Sequence, residues 1–134
     1  VLQYIGDHSA NAQLSAPDGG ASRYRVSEWL AYISTELHKA YGPMFNPAAS
    51  DAEKQRALDA LAKKFSWVED ALGDRKFIVG ETFTVADAYL FTVLGWTKFI
   101  GMDLDKWPTL QRYHAAIGAR PKVIAALKTE GLIK

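Results

Sequence analysis

The sequence predicts an all-α fold, a bundle of about five helices, on three observations. Apolar residues recur at steps of three and four along most of the chain, the period of one helix face. Two start signals, Ser50 with Glu53 and Thr84 with Asp87, stand ahead of such stretches. No segment alternates apolar and polar residues between hairpin turns. Phe77-Ile78-Val79 favours strand but is short and isolated.

The elements follow in order. Val1, Leu2 and Ile5 fall at helical spacing beside Tyr4, and Gly6-Asp7 stops them, as in the last turns of a helix that begins elsewhere. A chain opening without Met suits that expectation. From His8 to Gly20 the composition turns to Ser, Ala, Asn, Asp, Pro and Gly, a linker or ordered loop and the best candidate boundary. The first long helix starts near Ala21, with Val26, Trp29, Leu30, Ile33 and Leu37 on one face. Gly42-Pro43 kinks or ends it, because Pro43 has no amide proton and crowds the preceding turn. A second helix follows the Ser50/Glu53 capping box, with Leu58, Leu61, Phe65, Val68 and Leu72 as its apolar stripe and Gly73 as its stop. Lys54, Arg56, Asp59, Lys63 and Glu69 are expected on its solvated face. A third helix opens at Thr84, with Asp87 at the third helical position, where a carboxylate accepts backbone N–H groups at the positive end of the dipole. It is apolar on nearly all sides to Trp96 and so central, and Gly95 lets a neighbour approach. Pro108 suits the first turn of the next helix, whose stripe is Leu110, Tyr113 and Ile117. A short last helix carries Val123, Ile124 and Leu127.

Composition narrows the function classes. The 134 residues are the size of one domain. Sixteen Lys and Arg balance fifteen Asp and Glu, which argues against a dedicated nucleic-acid binder. The absence of cysteine excludes disulfides, thiolate metal sites and a cysteine nucleophile within these residues. The apolar-rich stretch from Val85 to Ile100 carries Asp87, Thr92, Thr97 and Lys98, and is too short and polar for a membrane span of about 20 residues. His8, His38 and His114 lack metal-ligand spacing, and no phosphate loop or nucleophile elbow occurs.

One stripe is sharper. At about 3.6 residues per turn, Ser34, His38, Tyr41 and Phe45 share a face well round from Ile33 and Leu37. It is either a cleft wall or interface, or simply the second packed side of a helix. An imidazole there is notable because its ordinary pKa, about 6.5, lies near neutral pH. Tyr89 and Trp96, seven apart, share a face of the central helix as aromatic core or as the floor of an apolar ligand pocket.

STELHKAYGPMFNP (Ser34 to Pro47) and GETFTVADAYLFTVLGW (Gly80 to Trp96) closely resemble the C-terminal domain of bacterial glutathione transferases, most like the beta class. The tail RPKVIAALKTEGLIK and the opening VLQYIGDHS are similar to that group too. The FTVADAYLF block is moderately specific, and ELHK narrows the class. The resemblance implies a two-domain, cytoplasmic, homodimeric enzyme whose thioredoxin-like first domain binds glutathione. It divides the chain into residues 1–8, the last helix of that domain; 9–20, a linker; and 21–134, the all-helical domain. On it, roughly 70 residues with the thiol-activating group lie outside these 134, which alone should be nearly inactive.

Site roles carry over residue by residue. The resemblance implies His38 as the catalytic group beside the glutathione sulfur, Lys39 as positive potential for its anionic groups, and Glu36 as a ligand of the γ-glutamyl ammonium across a dimer interface. Tyr41, Phe45, Tyr89 and Trp96 would form the apolar wall for the second substrate, and Thr84 with Asp87 the structural cap. Ala31 departs from the pattern, standing where some members have an Asn that reaches the neighbouring glutathione. Glutathione is implied as co-substrate, with no metal and no covalently bound cofactor. The partners are a small hydrophobic electrophile and a second copy of the chain, with neither nucleic acid nor membrane. The chemistry would be nucleophilic attack by a thiolate, which is scarce at neutral pH because a free thiol has a pKa of about 8.5. The alternative is a non-catalytic ligand-binding or interaction module on the same fold.

Overall fold

The computed structural model describes residues 1–17 and 20–134. Two residues of the expected linker, Asp18 and Gly19, lie outside them. Among the described residues seven α-helices run in order: α1 (Leu2–His8), α2 (Ala21–Tyr32), α3 (Gly42–Phe45), α4 (Asp51–Leu72), α5 (Val85–Gly95), α6 (Pro108–Gly118) and α7 (Pro121–Thr129). No strand occurs among the described residues. The predicted all-α class holds, with one short helix, α3, added where a kink or stop was expected.

Helix α5 is the axis of the bundle, touching α1, α2 and α6. Its Val85, Leu90, Val93 and Leu94 meet Val26 and Trp29 of α2, and Leu61, Phe65, Val68 and Leu72 of α4, in one buried core. Leu110, Tyr113 and Ile117 close it from α6. Each fully buried Leu, Ile or Phe contributes roughly 1.5–3 kcal/mol of apolar transfer. Phe77-Ile78-Val79 is buried as turn structure, not as a strand.

Local chemistry explains the ends. Ser50 Oγ accepts the Glu53 N–H while the Glu53 carboxylate accepts the Ser50 N–H, so the predicted capping box forms. Gly73 ends α4 at φ 52°, a left-handed angle that disfavours a side chain. Gly6 is the position of closest approach: a Cβ there would meet Ser15 Cβ at 2.9 Å. Gly95 is different, because a Cβ would meet His114 Nε2 at an ordinary 3.5 Å.

One expectation needs correction. Glu69 is not on a solvated face: its carboxylate accepts the Thr109 and Leu110 N–H groups at 3.0 and 2.9 Å, capping α6 from α4. Forty residues separate these partners, so no local pattern reveals them. The expected first helix forms as α1, with Val1, Tyr4 and Ile5 exposed.

Candidate active site

The site begins with the anchoring of α5. Asp87 is completely buried, and its carboxylate accepts four hydrogen bonds: Ile78 N–H at 2.8 Å, Thr84 N–H at 2.8 Å, Thr84 Oγ1 at 3.0 Å and Tyr113 Oη at 2.7 Å. Burial lifts its pKa while those donors oppose the shift. The same burial, with the carboxylate alongside, raises the Tyr113 phenol. Helix, loop and α6 are thereby fixed together, and α5 presents Tyr89 and Trp96 from a rigid base.

The second component is a π turn, Ile33–His38, continuing α2. Ser34 and Thr35 hydroxyls both donate back to the Ala31 carbonyl, at 3.0 and 2.9 Å. Such bonds compete with the regular ladder and favour a widened turn. The i→i+5 turn breaks the three-and-four spacing from which one face was predicted for Ser34, His38, Tyr41 and Phe45. Tyr41 swings into the core, 1% exposed, and its hydroxyl donates to the Val93 carbonyl at 2.8 Å. Burial raises its phenol pKa to a value far above the ordinary range. Phe45 stays half exposed, its ring 6.0 Å from that of Tyr41.

His38 is exposed and meets α5 at Tyr89. Its Nδ1 lies 2.7 Å from Tyr89 Oη. Its ring stands edge-to-face on Trp96, with centroids 4.7 Å apart at 87°. Trp96 in turn packs on Tyr41 at 5.4 Å and Phe45 at 6.0 Å. The structure thus brings together His38, Tyr89, Trp96, Tyr41 and Phe45, with Tyr41 as support beneath the wall. A cavity of about 330 Å³, lined by Leu30, Ser34, Tyr89 and the start of α1, opens beside them. A larger one of about 570 Å³ includes neither His38 nor Tyr89; it lies over Trp29, Tyr32 and Trp67.

The charged residues diverge. Lys39 is exposed and makes no ion pair with a described residue. Glu36 is paired with Lys64 of α4, which holds its carboxyl below the usual range. Sequence spacing missed Lys64, 28 positions away. Nothing short of the α2–α4 packing register would have found it. Among the described residues no three His, Cys, Asp or Glu side chains converge to hold a metal. No helix there is long and apolar enough to cross a membrane.

The bundle thus holds a buried capping box at the start of α5 and a histidine that meets Tyr89 and Trp96. The family model described as "Glutathione S-transferase, C-terminal domain" matches residues 32–121, and the chain belongs to that family. It is 41% identical over 132 residues to glutathione S-transferase GstA of Escherichia coli O157:H7, covering 98% of this chain and 66% of the relative. A solved glutathione transferase of Methylococcus capsulatus superposes with a TM-score of 0.93 at 47% identity, over 98% of this chain and 66% of that one. A beta-class glutathione S-transferase of Sphingomonas chungbukensis gives 0.91 at 40%, with the same coverages. The chain therefore spans about two thirds of the length of these relatives. The likeness to bacterial, beta-class transferases holds over nearly all of it.

Proposed function

We propose that these residues form the electrophile-binding part of a glutathione S-transferase that joins the glutathione thiolate to small hydrophobic electrophiles. The observation that supports this best is His38, held between the Trp96 ring and the hydroxyl of Tyr89, which itself lines a cavity. A polar nitrogen beside an apolar wall suits a reaction in which a sulfur anion must be stabilised next to an apolar carbon centre. In the step itself a C–S bond forms, the leaving group departs with its electron pair, and the thiol proton passes to solvent. Holding both reactants in one cleft supplies proximity, and polar groups at the sulfur supply thiolate.

In this reading His38 lies by the sulfur and Lys39 adds positive potential. Phe45, Tyr89 and Trp96 contact the electrophile, with Tyr41 behind them. Glu36 receives the γ-glutamyl ammonium across a homodimer interface, where that ammonium shares the carboxylate with Lys64. The relatives' greater length supports assigning residues 1–8 to the end of a thioredoxin-like domain, 9–20 to a linker and 21–134 to the helical domain. The thiol-activating group then lies outside the 134 residues, which by themselves have little activity. A cytoplasmic location belongs to the same reading.

The test is conjugation of glutathione to a nitro-substituted aryl chloride by the protein expressed from its whole gene. His38→Ala is expected to lower kcat/KM about tenfold near neutral pH, the worth of one hydrogen bond to a charged atom. The deficit should shrink as rising pH ionises the thiol unaided. An unchanged rate removes His38 from the site.

A further inference from the structure

We propose that Tyr89 is a positioning residue that holds neutral His38 with its proton on Nε2, so that His38 acts on the bound sulfur as a hydrogen-bond donor and not as a base. The direction of this hydrogen bond goes with the imidazole tautomer; its action on sulfur rests on the function proposed above.

Only one proton lies between Tyr89 Oη and His38 Nδ1, 2.7 Å apart. A neutral imidazole has one N–H and one bare nitrogen, and whichever group holds the other nitrogen's partner sets the tautomer. A phenol has a single proton to place. Tyr89 Oη makes no other hydrogen bond to a described residue, so the imidazole nitrogen is the acceptor within reach. Partial burial raises the phenol pKa, which keeps that proton on oxygen. Were Nδ1 the donor, the phenol proton would have no acceptor among the described residues and would be left to solvent. With Tyr89 donating, Nδ1 is bare and Nε2 carries the hydrogen.

The ring is braced against turning over. Trp96 stands edge-to-face against it, and Trp96 is itself braced by Tyr41, whose hydroxyl is tied to the Val93 carbonyl in the core. Because the two nitrogens point in widely divergent directions in the ring plane, fixing Nδ1 toward Tyr89 directs Nε2 away from that hydroxyl. Nε2 makes no hydrogen bond to a described residue. A donor left open at that place strengthens a thiolate over a thiol. It cannot accept the thiol proton, so that proton must leave to solvent.

The first test is nitrogen-15 NMR of the imidazole in the protein from its whole gene, without glutathione. Expected is a proton on Nε2 only, with the Nδ1 resonance displaced by the bond it accepts, and a return of that resonance toward the free-imidazole position in Tyr89→Phe. A proton on Nδ1 in the unaltered protein overturns the proposal, as does an Nδ1 resonance indifferent to Tyr89→Phe. The unaltered protein decides the direction even if that variant folds poorly.

The second test reads the pKa of bound glutathione from thiolate absorbance. A glutamine amide reaches the place of Nε2 as a donor but is no base. His38→Gln should hold the thiol pKa within about half a unit of the unaltered protein, while His38→Ala and His38→Asn raise it by about one. Gln behaving like Ala overturns the donor role. If no variant moves the thiol although NMR finds the proton on Nε2, the glutathione assignment fails and the hydrogen-bond direction stands.

Discussion

Asp87 and Tyr89 sit two positions apart on α5 and live in opposite circumstances. The Asp87 carboxylate is wholly buried, and four donors from three parts of the chain converge on it. Among the described residues Tyr89 has one hydrogen-bond partner, an exposed imidazole from another helix, and a cavity beside it. One helix therefore carries a polar group whose bonding capacity is used up by the fold, and another whose bonding leaves a nitrogen open to the cleft. Burial separates the two cases. A buried carboxylate must be satisfied internally, whereas a polar group at a cleft can be left for a ligand. Rigidity in the first region is what gives the second its geometry.

The largest expected effect breaks the first region. Asp87→Ala strands the Ile78 and Thr84 N–H groups and the Tyr113 hydroxyl in the core. It should cost about 3–5 kcal/mol of stability, from several orphaned donors and a lost cap. Asp87→Asn should restore little of this, because its NH2 group would face donors. Urea denaturation measures both, and a loss below about 1 kcal/mol would show that the cap is not what anchors α5. Next comes Tyr41→Phe. Its hydroxyl donates to the Val93 carbonyl beneath Trp96. The same measurement should find a loss of about 1 kcal/mol, the net worth of one buried hydrogen bond.

How far these regions were legible depends on the distance over which their chemistry acts. Both capping boxes span three residues, so Ser50/Glu53 and Thr84/Asp87 could be read directly. The core stripes of α4 and α6 follow a regular helix and were legible for the same reason. Tyr41 was misplaced because the π turn at Ile33–His38 changes the spacing, and its cause, two hydroxyls competing for the Ala31 carbonyl, breaks no obvious rule in sequence. The Glu69 cap on α6 and the Glu36–Lys64 pair depend on packing between elements, and no local pattern holds that information. His38 was conspicuous as a polar residue on an aromatic stripe, but its pairing with Tyr89, 51 positions on, was not. Only the resemblance placed those two residues in one site.

A third histidine sharpens the comparison through pH. His114 stacks on Phe91 at 4.5 Å, and its Nε2 is buried without a partner among the described residues. Burial first, and then the nearby Lys98 charge, lower its pKa, against a hydrogen bond to the Phe91 backbone. The folded protein thus prefers the neutral ring, while the unfolded chain protonates near the ordinary value of about 6.5. Stability is whole above that pH and declines as pH falls below it, since the unfolded state then binds more protons. Urea midpoints between pH 7.5 and 5 should fall, and His114→Gln should flatten the slope. An equal slope in that variant would assign the effect to other groups.

The smallest effect is expected at His38, and it bears most directly on the contrast along α5. His38 is exposed, with one hydrogen bond to a half-buried phenol and edge contacts to the Tyr89 and Trp96 rings. His38→Ala leaves Tyr89 Oη able to reach water, so no buried donor is orphaned. Its cost in stability should stay below about 1 kcal/mol, the range of a solvated hydrogen bond and exposed edge contacts. Parallel denaturation of the unaltered protein, His38→Ala and Asp87→Ala sets the two regions on one scale. A His38 loss approaching that of Asp87 would mean that the imidazole holds the fold together. The cleft would then be a structural joint between α2 and α5, and a fall in transferase rate on removing His38 could no longer be attributed to the chemistry.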